Sequence, residues 1–371
     1  MPDILQSLCS VPTAPFAEDR VVAYVEEFVR KRKKLSLRAD RWGNLLIEQR
    51  GRGKSRHPRW VFTAHMDHPG FVAREMIDER RLRADFRGWV KVEYVRGTNV
   101  RFFNTDREIR GVVTDATVED YDRRAVPHEV IVEVDGAVEA GSPGMFDLGE
   151  GRYEGDKFYC RGLDDLGGAA ACLEMLDQLH RKPPRSPVAV LLTRAEEEGF
   201  IGCIATCRDG KLLKKTDRVV AIECSSVQPA APMGAGVIIR VGDRTSVFNS
   251  GLTYFLGRQA EELKKADKAF LWQRALMPGG TCEATVYDIY GYTAASLCVA
   301  LGNYHNMDIS RQEIAAEFID VSDWKNMVKL FVRLANFGHE FKPGHAELKS
   351  RVVKRFERLK KYLRQSGHAG S

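Results

Sequence analysis

Short apolar runs alternate along the chain with segments of helical periodicity. The apolar runs are WVFTA (60–64), VAVLLT (188–193), RVVAIEC (218–224) and AASLCVAL (294–301). Apolar residues recur at helical spacing in the segments 165–182, 252–266 and 324–338. Continuous apolar strands separated by helices are typical of a largely parallel sheet that is covered on both faces. The pattern therefore predicts a doubly wound α/β domain with helices on both faces of its sheet.

Residues 71–155 follow a different pattern. Short stretches of alternating apolar and polar residues, such as IRGVVTDATV and EVIVEVD, are broken there by glycine, aspartate and proline. This texture predicts a small β-domain inserted into the α/β domain. The α/β domain would then be discontinuous, comprising residues 1–70 and 156–345, and a basic C-terminal helix and tail would occupy 346–371.

The composition is that of an ordinary globular protein, with 44% apolar and 29% charged residues. No apolar run approaches the roughly 18 residues that span a bilayer, so we expect no membrane partner. The N-terminus has no basic segment followed by an apolar one, which predicts a cytoplasmic location. The eight cysteines are scattered without a CxxC pair, which indicates free thiols in a reducing compartment.

Much of the formal net charge of +6 lies at the C-terminus, in the stretch KSRVVKRFERLKKYLRQSGHAGS. The rest of the chain is mixed in sign and contains no recognised nucleic-acid-binding motif. We interpret the basic stretch as a solvated helix with a frayed tail, and we expect no nucleic-acid partner.

Side chains that can bind metal follow the ends of several apolar runs. In open α/β sheets, ligands bind just beyond the carboxyl ends of the strands. The candidate ligands at these places are His65, Asp164, Glu197, Glu223 and His305. Because an inserted domain returns the chain close to where it left, residues near 65–70 and 160–165 are expected to be neighbours in space.

Each of these residues also has an ordinary structural explanation when it is taken alone. His65 and Asp67 can belong to a surface turn, and an aspartate before a helix is a routine N-cap. A strand-terminal acid such as Glu223 is common, and the three acids at 196–198 can form a solvated loop. A single histidine such as His305 is usually a packed or surface residue. The agreement of all five positions is what favours a metal site.

Residues next to the candidate ligands receive supporting roles. Asp67 points the same way as His65 in an extended segment, so it can accept a hydrogen bond from the second ring nitrogen. Asp165 is expected to cap the following helix, which leaves Asp164 to bridge two metal ions. Glu196 is the predicted general base on a metal-bound water.

The predicted ligand set mixes imidazole nitrogen with carboxylate oxygen. With Asp164 shared, each of two divalent ions has one imidazole, one terminal carboxylate and the bridging carboxylate. Such sets suit zinc, and also cobalt or manganese, and they leave an open position for water. Glu198 is expected to face elsewhere, and His68 is expected to be a pocket or surface residue.

The chain resembles the glutamyl or tetrahedral aminopeptidase (cellulase M-like) family of co-catalytic zinc exopeptidases, from about residue 40 to His305. The motifs that carry the resemblance are HMDHPG, GLDDLGG, TRAEEEGFIG, AIECSS and GGTCEATVYDIYGYTAASLCVALGNYHN, in this order. The resemblance implies a doubly wound catalytic domain with a barrel-like insertion that is often used in oligomerisation, and it implies Glu196 as the base. It also implies two metal sites that share Asp164, the first with His65 and Glu223 and the second with Glu197 and His305.

Three departures from the family pattern concern the pocket. His68 stands where the family usually has a glutamate, and Glu223 stands where it usually has an aspartate. The usual Gly-Thr-Asp-Ala reads GTCEA at 280–284, so a carboxylate is kept there, as Glu283, but is shifted. A glutamate at the ligand position is familiar from carboxypeptidase and deacylase relatives.

The resemblance implies a metallo-aminopeptidase that removes N-terminal residues from peptides and forms homo-oligomers. Glu223 keeps a second hydrolase open, a deacylase or carboxypeptidase that acts on N-acyl amino acids or small peptides. A third alternative, from another class, is a binding or assembly homologue that has lost catalysis. The complete set of predicted ligands and base argues against this third alternative.

Overall fold

The computed structural model describes residues 3–49, 57–121, 124–342 and 346–366. It is a mixed α/β protein with one large sheet and one small closed barrel. The strands are β1 (Leu35–Ala39), β2 (Leu45–Gln49), β3 (Trp60–His65), β4 (Gly70–Met76), β5 (Arg81–Arg87), β6 (Asn99–Phe103), β7 (Glu108–Tyr121), β8 (Arg124–Val134), β9 (Pro143–Phe146), β10 (Arg152–Glu154), β11 (Lys157–Cys160), β12 (Val188–Thr193), β13 (Arg218–Ser226), β14 (Val237–Gly242), β15 (Trp272–Leu276), β16 (Thr293–Gly302), β17 (Met307–Asp308), β18 (Glu313–Ile314) and β19 (Glu317–Asp320). The α-helices are α1 (Ile4–Cys9), α2 (Asp19–Arg30), α3 (Leu166–Arg181), α4 (Ile201–Asp209), α5 (Ser250–Ala266), α6 (Glu283–Ile289), α7 (Val321–Phe337) and α8 (Ala346–Ser366).

The large sheet is parallel at its centre, where β12, β3, β13 and β16 lie side by side. Antiparallel strands extend it on both sides, with β2 and β1 beside β12 and with β19, β11 and β10 beyond β16. β14 pairs antiparallel with β16 and parallel with β15. The sheet is therefore mixed, and the predicted parallel arrangement holds for its central strands. The doubly wound order of its helices stays a prediction.

The central strands are apolar at nearly every position because helices cover both of their faces. Successive strand residues point to opposite sides. Phe62 and Val190 pack into a core with residues of α1, α2, α3, α5 and α7. Their neighbours Val61 and Leu191 pack on the other side with residues of α4 and α6.

The three predicted helical segments correspond to α3, α5 and α7. Polar side chains cap the first turn of each helix, where backbone N–H groups have no partner within the helix. Asp165 accepts from the N–H of Gly168 (3.2 Å), which confirms its predicted capping role. Asn249 and Asp320 cap α5 and α7 in the same way.

The barrel is formed by β4–β9, in the order β4-β5-β8-β7-β6-β9. It has a core of its own, which is rich in phenylalanine and includes Phe71, Phe102 and Phe146. The chain enters the barrel directly after β3 and returns through β10 and β11, which form one end of the large sheet. The barrel begins at Gly70, one residue before the stretch 71–155 predicted as an inserted β-domain, and ends within it at Phe146. The domain boundaries themselves stay predictions.

Among the helices that the structure describes, none has the combination of length and apolar composition needed to cross a lipid bilayer. All eight cysteines are buried free thiols.

Candidate metal centre

The predicted ligands come from the carboxyl ends of the central parallel strands and from the turn before α3. His65 is the last residue of β3, which lies beside β12, and Glu197 follows the end of β12. Glu223 lies near the end of β13, and His305 follows β16 in a short 3-10 turn. Because the ends of neighbouring parallel strands meet at one edge of the sheet, these side chains converge with Asp164.

Asp164 lies between the two histidines, with one carboxylate oxygen towards each. Its Oδ1 is 3.7 Å from Nε2 of His65, and its Oδ2 is 3.7 Å from Nε2 of His305. Both distances are longer than a hydrogen bond. The carboxylate is thus oriented to bridge two bound groups.

Two clusters of three ligand atoms share Asp164. The first consists of His65, Asp164 and Glu223, and the second of Asp164, Glu197 and His305. His65 also forms a cluster with Glu196 and Glu197. Within each cluster the ligand atoms lie within 4.8 Å of one another. The structure therefore brings all five predicted ligands and the predicted base into one place.

Several buried polar atoms at this site lack hydrogen-bond partners among the described residues. They are Oδ1 of Asp164, Oε1 of Glu197, Oε1 of Glu223 and Nε2 of His305. Buried polar atoms without partners are rare in native proteins and costly in free energy. Imidazole nitrogens and carboxylate oxygens gathered in this way fit divalent metal ions, which would satisfy all four atoms.

The electrostatics of the site also fit bound cations. Burial raises the pKa of Glu223 to about 8, and the nearby Asp164 carboxylate adds to the increase. Burial likewise raises the pKa of Glu196 well above its usual range, although His65 opposes the shift. Like charges gathered in a dry site repel one another, and a divalent cation relieves this repulsion.

The histidine pKa values show the same excess of negative charge. Burial alone would lower the pKa of His305, but Glu197 and Asp164 raise it to about 9. For His65, the carboxylates of Glu196, Asp164 and Asp67 outweigh burial and raise the pKa well above the usual value. A proton on each of these imidazoles would take the position at which the donor atoms of the site fit a metal ion.

Asp67 positions the residues that follow β12. Its two carboxylate oxygens accept from the backbone N–H groups of Glu196 (3.0 Å) and Glu197 (3.1 Å). Nδ1 of His65 is 3.1 Å from the backbone oxygen of Asp67 and 3.5 Å from its Oδ1. The hydrogen bond expected from His65 to the Asp67 carboxylate is thus made to the Asp67 carbonyl instead.

Glu317, in β19, is a positioning residue that the sequence analysis did not identify. Its Oε2 accepts from the N–H groups of Leu163 (2.6 Å) and Asp164 (3.1 Å), and its Oε1 accepts from the N–H of His305 (2.8 Å). It is fully buried. Glu317 points to the same side of β19 as the buried Ile319, but a strand of four residues is too short to show this alternation in the sequence.

His68 is fully buried, so the surface alternative that the sequence left open for it is wrong. Its Nδ1 lies 2.6 Å from the backbone oxygen of Asp164, and its Nε2 lies 3.0 Å from Oδ1 of Asn306. His68 therefore connects the bridging aspartate to the turn that carries His305.

The two remaining acids lie to either side of the cluster. Glu198 accepts from the N–H of Gly88 (2.8 Å) and so faces away from the ligands, as expected. Glu283 is buried and accepts from the hydroxyls of Thr193 (2.6 Å) and Thr63 (3.1 Å). It thereby connects α6 to β3, which ends at His65, and to β12, which precedes the acidic residues 196–198.

A small pocket of about 180 Å³ opens beside Glu223. Its lining includes the buried Arg240, which donates from Nη1 to Oγ of Ser225 (3.2 Å). The Nε of this guanidinium has no hydrogen-bond partner among the described residues. A buried cation thus faces a pocket that adjoins one of the candidate ligands.

A mixed α/β sheet with imidazoles and carboxylates gathered at its strand ends defines a metal-dependent hydrolase. The chain belongs to the M42 glutamyl aminopeptidase family, whose model matches residues 43–330. It is accordingly a peptide-bond hydrolase of the aminopeptidase type. A search of curated proteins by sequence finds no match.

Solved structures of aminopeptidases share the fold. An aminopeptidase from the archaeon Desulfurococcus kamchatkensis is 21% identical with a TM-score of 0.73, over 90% of this chain and 93% of that one. The TET1 peptidase of Pyrococcus horikoshii, which can assemble into a tetrahedron or a large octahedral shell, is 20% identical with a TM-score of 0.72, over 90% and 98%. An M18-family aminopeptidase from Thermotoga maritima is 13% identical with a TM-score of 0.66, over 89% and 94%.

Proposed function

We propose that this aminopeptidase uses two divalent metal ions, most simply zinc, which share Asp164. His65 and Glu223 would complete one site, and Glu197 and His305 the other. The observation that carries the proposal is the position of Asp164, whose two oxygens lie at equal distances from the two imidazoles. The unpartnered carboxylate oxygens of Glu197 and Glu223 support the same assignment.

Two ions bound here would polarise the scissile carbonyl and bring a water molecule towards ionisation near neutral pH. The rest of the chemistry falls to the chain. Glu196 would take the proton from the attacking water and deliver it to the leaving amine. Asp67 accepts a hydrogen bond from the backbone N–H of Glu196 and so positions the proposed base.

Replacing the proposed base tests this mechanism. Glu196→Gln keeps the shape of the side chain but removes the proton acceptor, so we expect kcat to fall by about 10²–10⁴-fold with unchanged metal content. Peptide hydrolysis and metal analysis on the same sample measure both quantities. Glu198→Gln is the matched control, because Glu198 is the adjacent acid and faces Gly88. Near-normal turnover by Glu196→Gln would remove Glu196 from this role.

The same assay separates the alternative hydrolases. An aminopeptidase cleaves peptides with a free N-terminus, whereas a deacylase or carboxypeptidase acts on N-blocked substrates. The family match favours the first. Efficient hydrolysis of N-acyl amino acids with no cleavage of free peptides would favour the second.

We further propose that the enzyme prefers substrates whose N-terminal residue carries a carboxylate. Arg240 supports this proposal, because it is a buried cation with an unpartnered Nε in the pocket beside Glu223. Charge-assisted hydrogen bonds from a guanidinium to a carboxylate are strong and directional. The glutamyl specificity in the description of the family agrees with this preference.

Replacement of Arg240 tests the preference. Arg240→Met should lower kcat/KM for N-terminal glutamyl peptides by about 10–100-fold and should leave leucyl peptides much less affected. Arg274→Met, an exposed arginine on the neighbouring strand β15, is the matched control. An equal loss for both substrates would mean that Arg240 acts through Glu223 and does not contact the substrate.

Self-assembly is a further part of the proposal. Two of the similar structures are described as assemblies, a dodecamer in one case and a tetrahedron or octahedral shell in the other. We propose that this chain also forms a homo-oligomer, since it shares their fold over nine-tenths of its length.

A further inference from the structure

The excess positive charge of the chain is concentrated in α8 (Ala346–Ser366). This helix contains eight lysines and arginines and two glutamates, a net charge of +6. The whole chain has 57 basic and 51 acidic residues. The remainder therefore carries 49 of each and is formally neutral. α8 lies outside residues 43–330, the part that the family model matches.

The side chains of α8 are exposed along its described length. From Lys349 to Leu363, only Lys360 is half-buried and all the others are exposed. Six of the exposed residues are large and apolar, including Val353 and Tyr362. The other four are spaced four, three and four positions apart, which places them on one face of the helix. They are Val352 (63% exposed), Phe356 (52%), Leu359 (37%) and Leu363 (67%).

Basic residues border this apolar stripe on both sides. At 3.6 residues per turn, Lys349 and Lys360 lie along one margin and Arg355 lies along the other. Lys354, Arg358 and Lys361 lie on the opposite face. α8 is therefore an amphipathic helix with an apolar stripe, basic margins and a basic back.

The basic residues and the exposed apolar stripe of α8 together indicate the class of partner that this helix binds. Nucleic acid would neutralise the lysines and arginines, but it would leave the stripe from Val352 to Leu363 in water. A second copy of α8 would cover the stripe, but it would bring Arg355 and Lys360 against like charges. An anionic bilayer surface can bind both the stripe and the basic residues. Its acyl region accommodates the apolar side chains, and its phosphates bind the lysines and arginines.

We propose that α8 binds anionic phospholipid surfaces and attaches the aminopeptidase peripherally to a membrane. The helix lies in the plane of the interface, with Phe356 and its apolar neighbours among the acyl chains. The basic margins lie at the level of the headgroups. This proposal differs from the sequence-based expectation of a solvated helix without a membrane partner.

Vesicle flotation of the full-length protein tests the proposal. We expect the protein to float with vesicles of phosphatidylcholine and phosphatidylglycerol and to stay at the bottom with vesicles of phosphatidylcholine alone. Phe356→Ser with Leu363→Ser should weaken binding by at least about tenfold, because the apolar contribution is lost. Lys349→Glu with Arg355→Glu should do the same through charge.

The matched charge control is Lys33→Glu with Lys182→Glu, since both lysines are exposed on the body of the protein. This control should bind as the unaltered protein does, and peptide hydrolysis should be unchanged in all three double variants. Equal binding to neutral vesicles, or equal loss in the control, would overturn the proposal. Retention of single-stranded DNA or RNA without vesicle binding would also overturn it, and so would an oligomer that dissociates in the Phe356→Ser, Leu363→Ser variant and does not bind vesicles.

Discussion

Single residues outside the predicted ligand set position the side chains of the candidate metal centre. Asp67 binds the backbone of the acidic loop, His68 connects Asp164 to Asn306, and Glu317 binds the backbone of Asp164 and His305. Hydrogen bonds of this kind orient ligands and typically change metal affinity by about 10–100-fold when they are removed. The geometry of the ligands therefore depends on residues that need not touch metal.

Glu317 gives a direct test at this scale. In Glu317→Gln one carboxylate oxygen becomes an NH₂ group. This group cannot accept a hydrogen bond from the backbone N–H that it faces. We expect metal affinity to fall by about 10–100-fold while the fold is kept, as measured by metal titration and circular dichroism. Glu313→Gln, on the exposed strand β18, is the control. Unchanged metal affinity would show that the three hydrogen bonds of Glu317 do not position the ligands.

The candidate ligands were predictable because each follows an apolar strand or directly precedes a helix, which is visible in a single segment of sequence. Glu317 and His68 were not predictable in the same way. Their roles depend on contacts with residues about 100 or more positions away, such as His68 with Asp164. Nor could the sequence place Arg240 beside Glu223, because that requires the pairing of β14 with β16.

At the scale of elements, the helices and the central strands followed from periodicity alone. The antiparallel flanks of the sheet did not, because strands such as β10 and β19 have only three and four residues. Short strands of mixed polarity have no distinct period. Their pairing is set by tertiary contacts, such as the register of β19 against both β11 and β16.

Asp323 links one helix to the loop before β14 and makes stability depend on pH. Its carboxylate accepts from the N–H groups of Gly234 (2.7 Å) and Gly236 (2.6 Å), and burial raises its pKa to about 6. Because the pKa of an unfolded aspartate is about 3.9, the folded state disfavours the ionised form. This cost is absent below about pH 4, grows as pH rises and is complete above about pH 6.

The comparison of Asp323→Asn with the unaltered protein isolates this effect. The asparagine cannot ionise, so the free energy of unfolding of the variant should improve relative to that of the unaltered protein by about 2 kcal/mol between pH 4 and pH 7. Urea denaturation at the two pH values measures the difference. Asp106→Asn, at an exposed position, controls for general charge effects. A difference that does not change with pH would contradict the assigned cause.

At the scale of the whole molecule, the cores on the two faces of the large sheet are separate from the core inside the barrel. The barrel carries exposed apolar residues on the long β7–β8 hairpin, including Val112 (39% exposed) and Val118 (56%). Side chains of this kind are available for contacts between copies of the chain.

The proposed homo-oligomer can be measured directly. Light scattering coupled to size-exclusion chromatography should give a mass that is a multiple of the 41.8 kDa chain. Val112→Asp with Val118→Asp should reduce this mass if the β7–β8 hairpin lies between subunits. The two aspartates would then place buried charges in the contact between subunits. Val247→Asp, at a residue that is 74% exposed on the α/β part, is the control. A monomer at all concentrations would contradict the proposal.

The barrel separates the first candidate ligand from the second by about a hundred positions, and the last one lies at residue 305. During translation a nascent chain therefore cannot assemble the full set of candidate ligands until residue 305 has left the ribosome. Fragments that end before His305 lack a ligand, however well the earlier strands pair. Under the proposed ligand assignment, peptide hydrolysis therefore requires a chain that has been synthesised at least as far as His305.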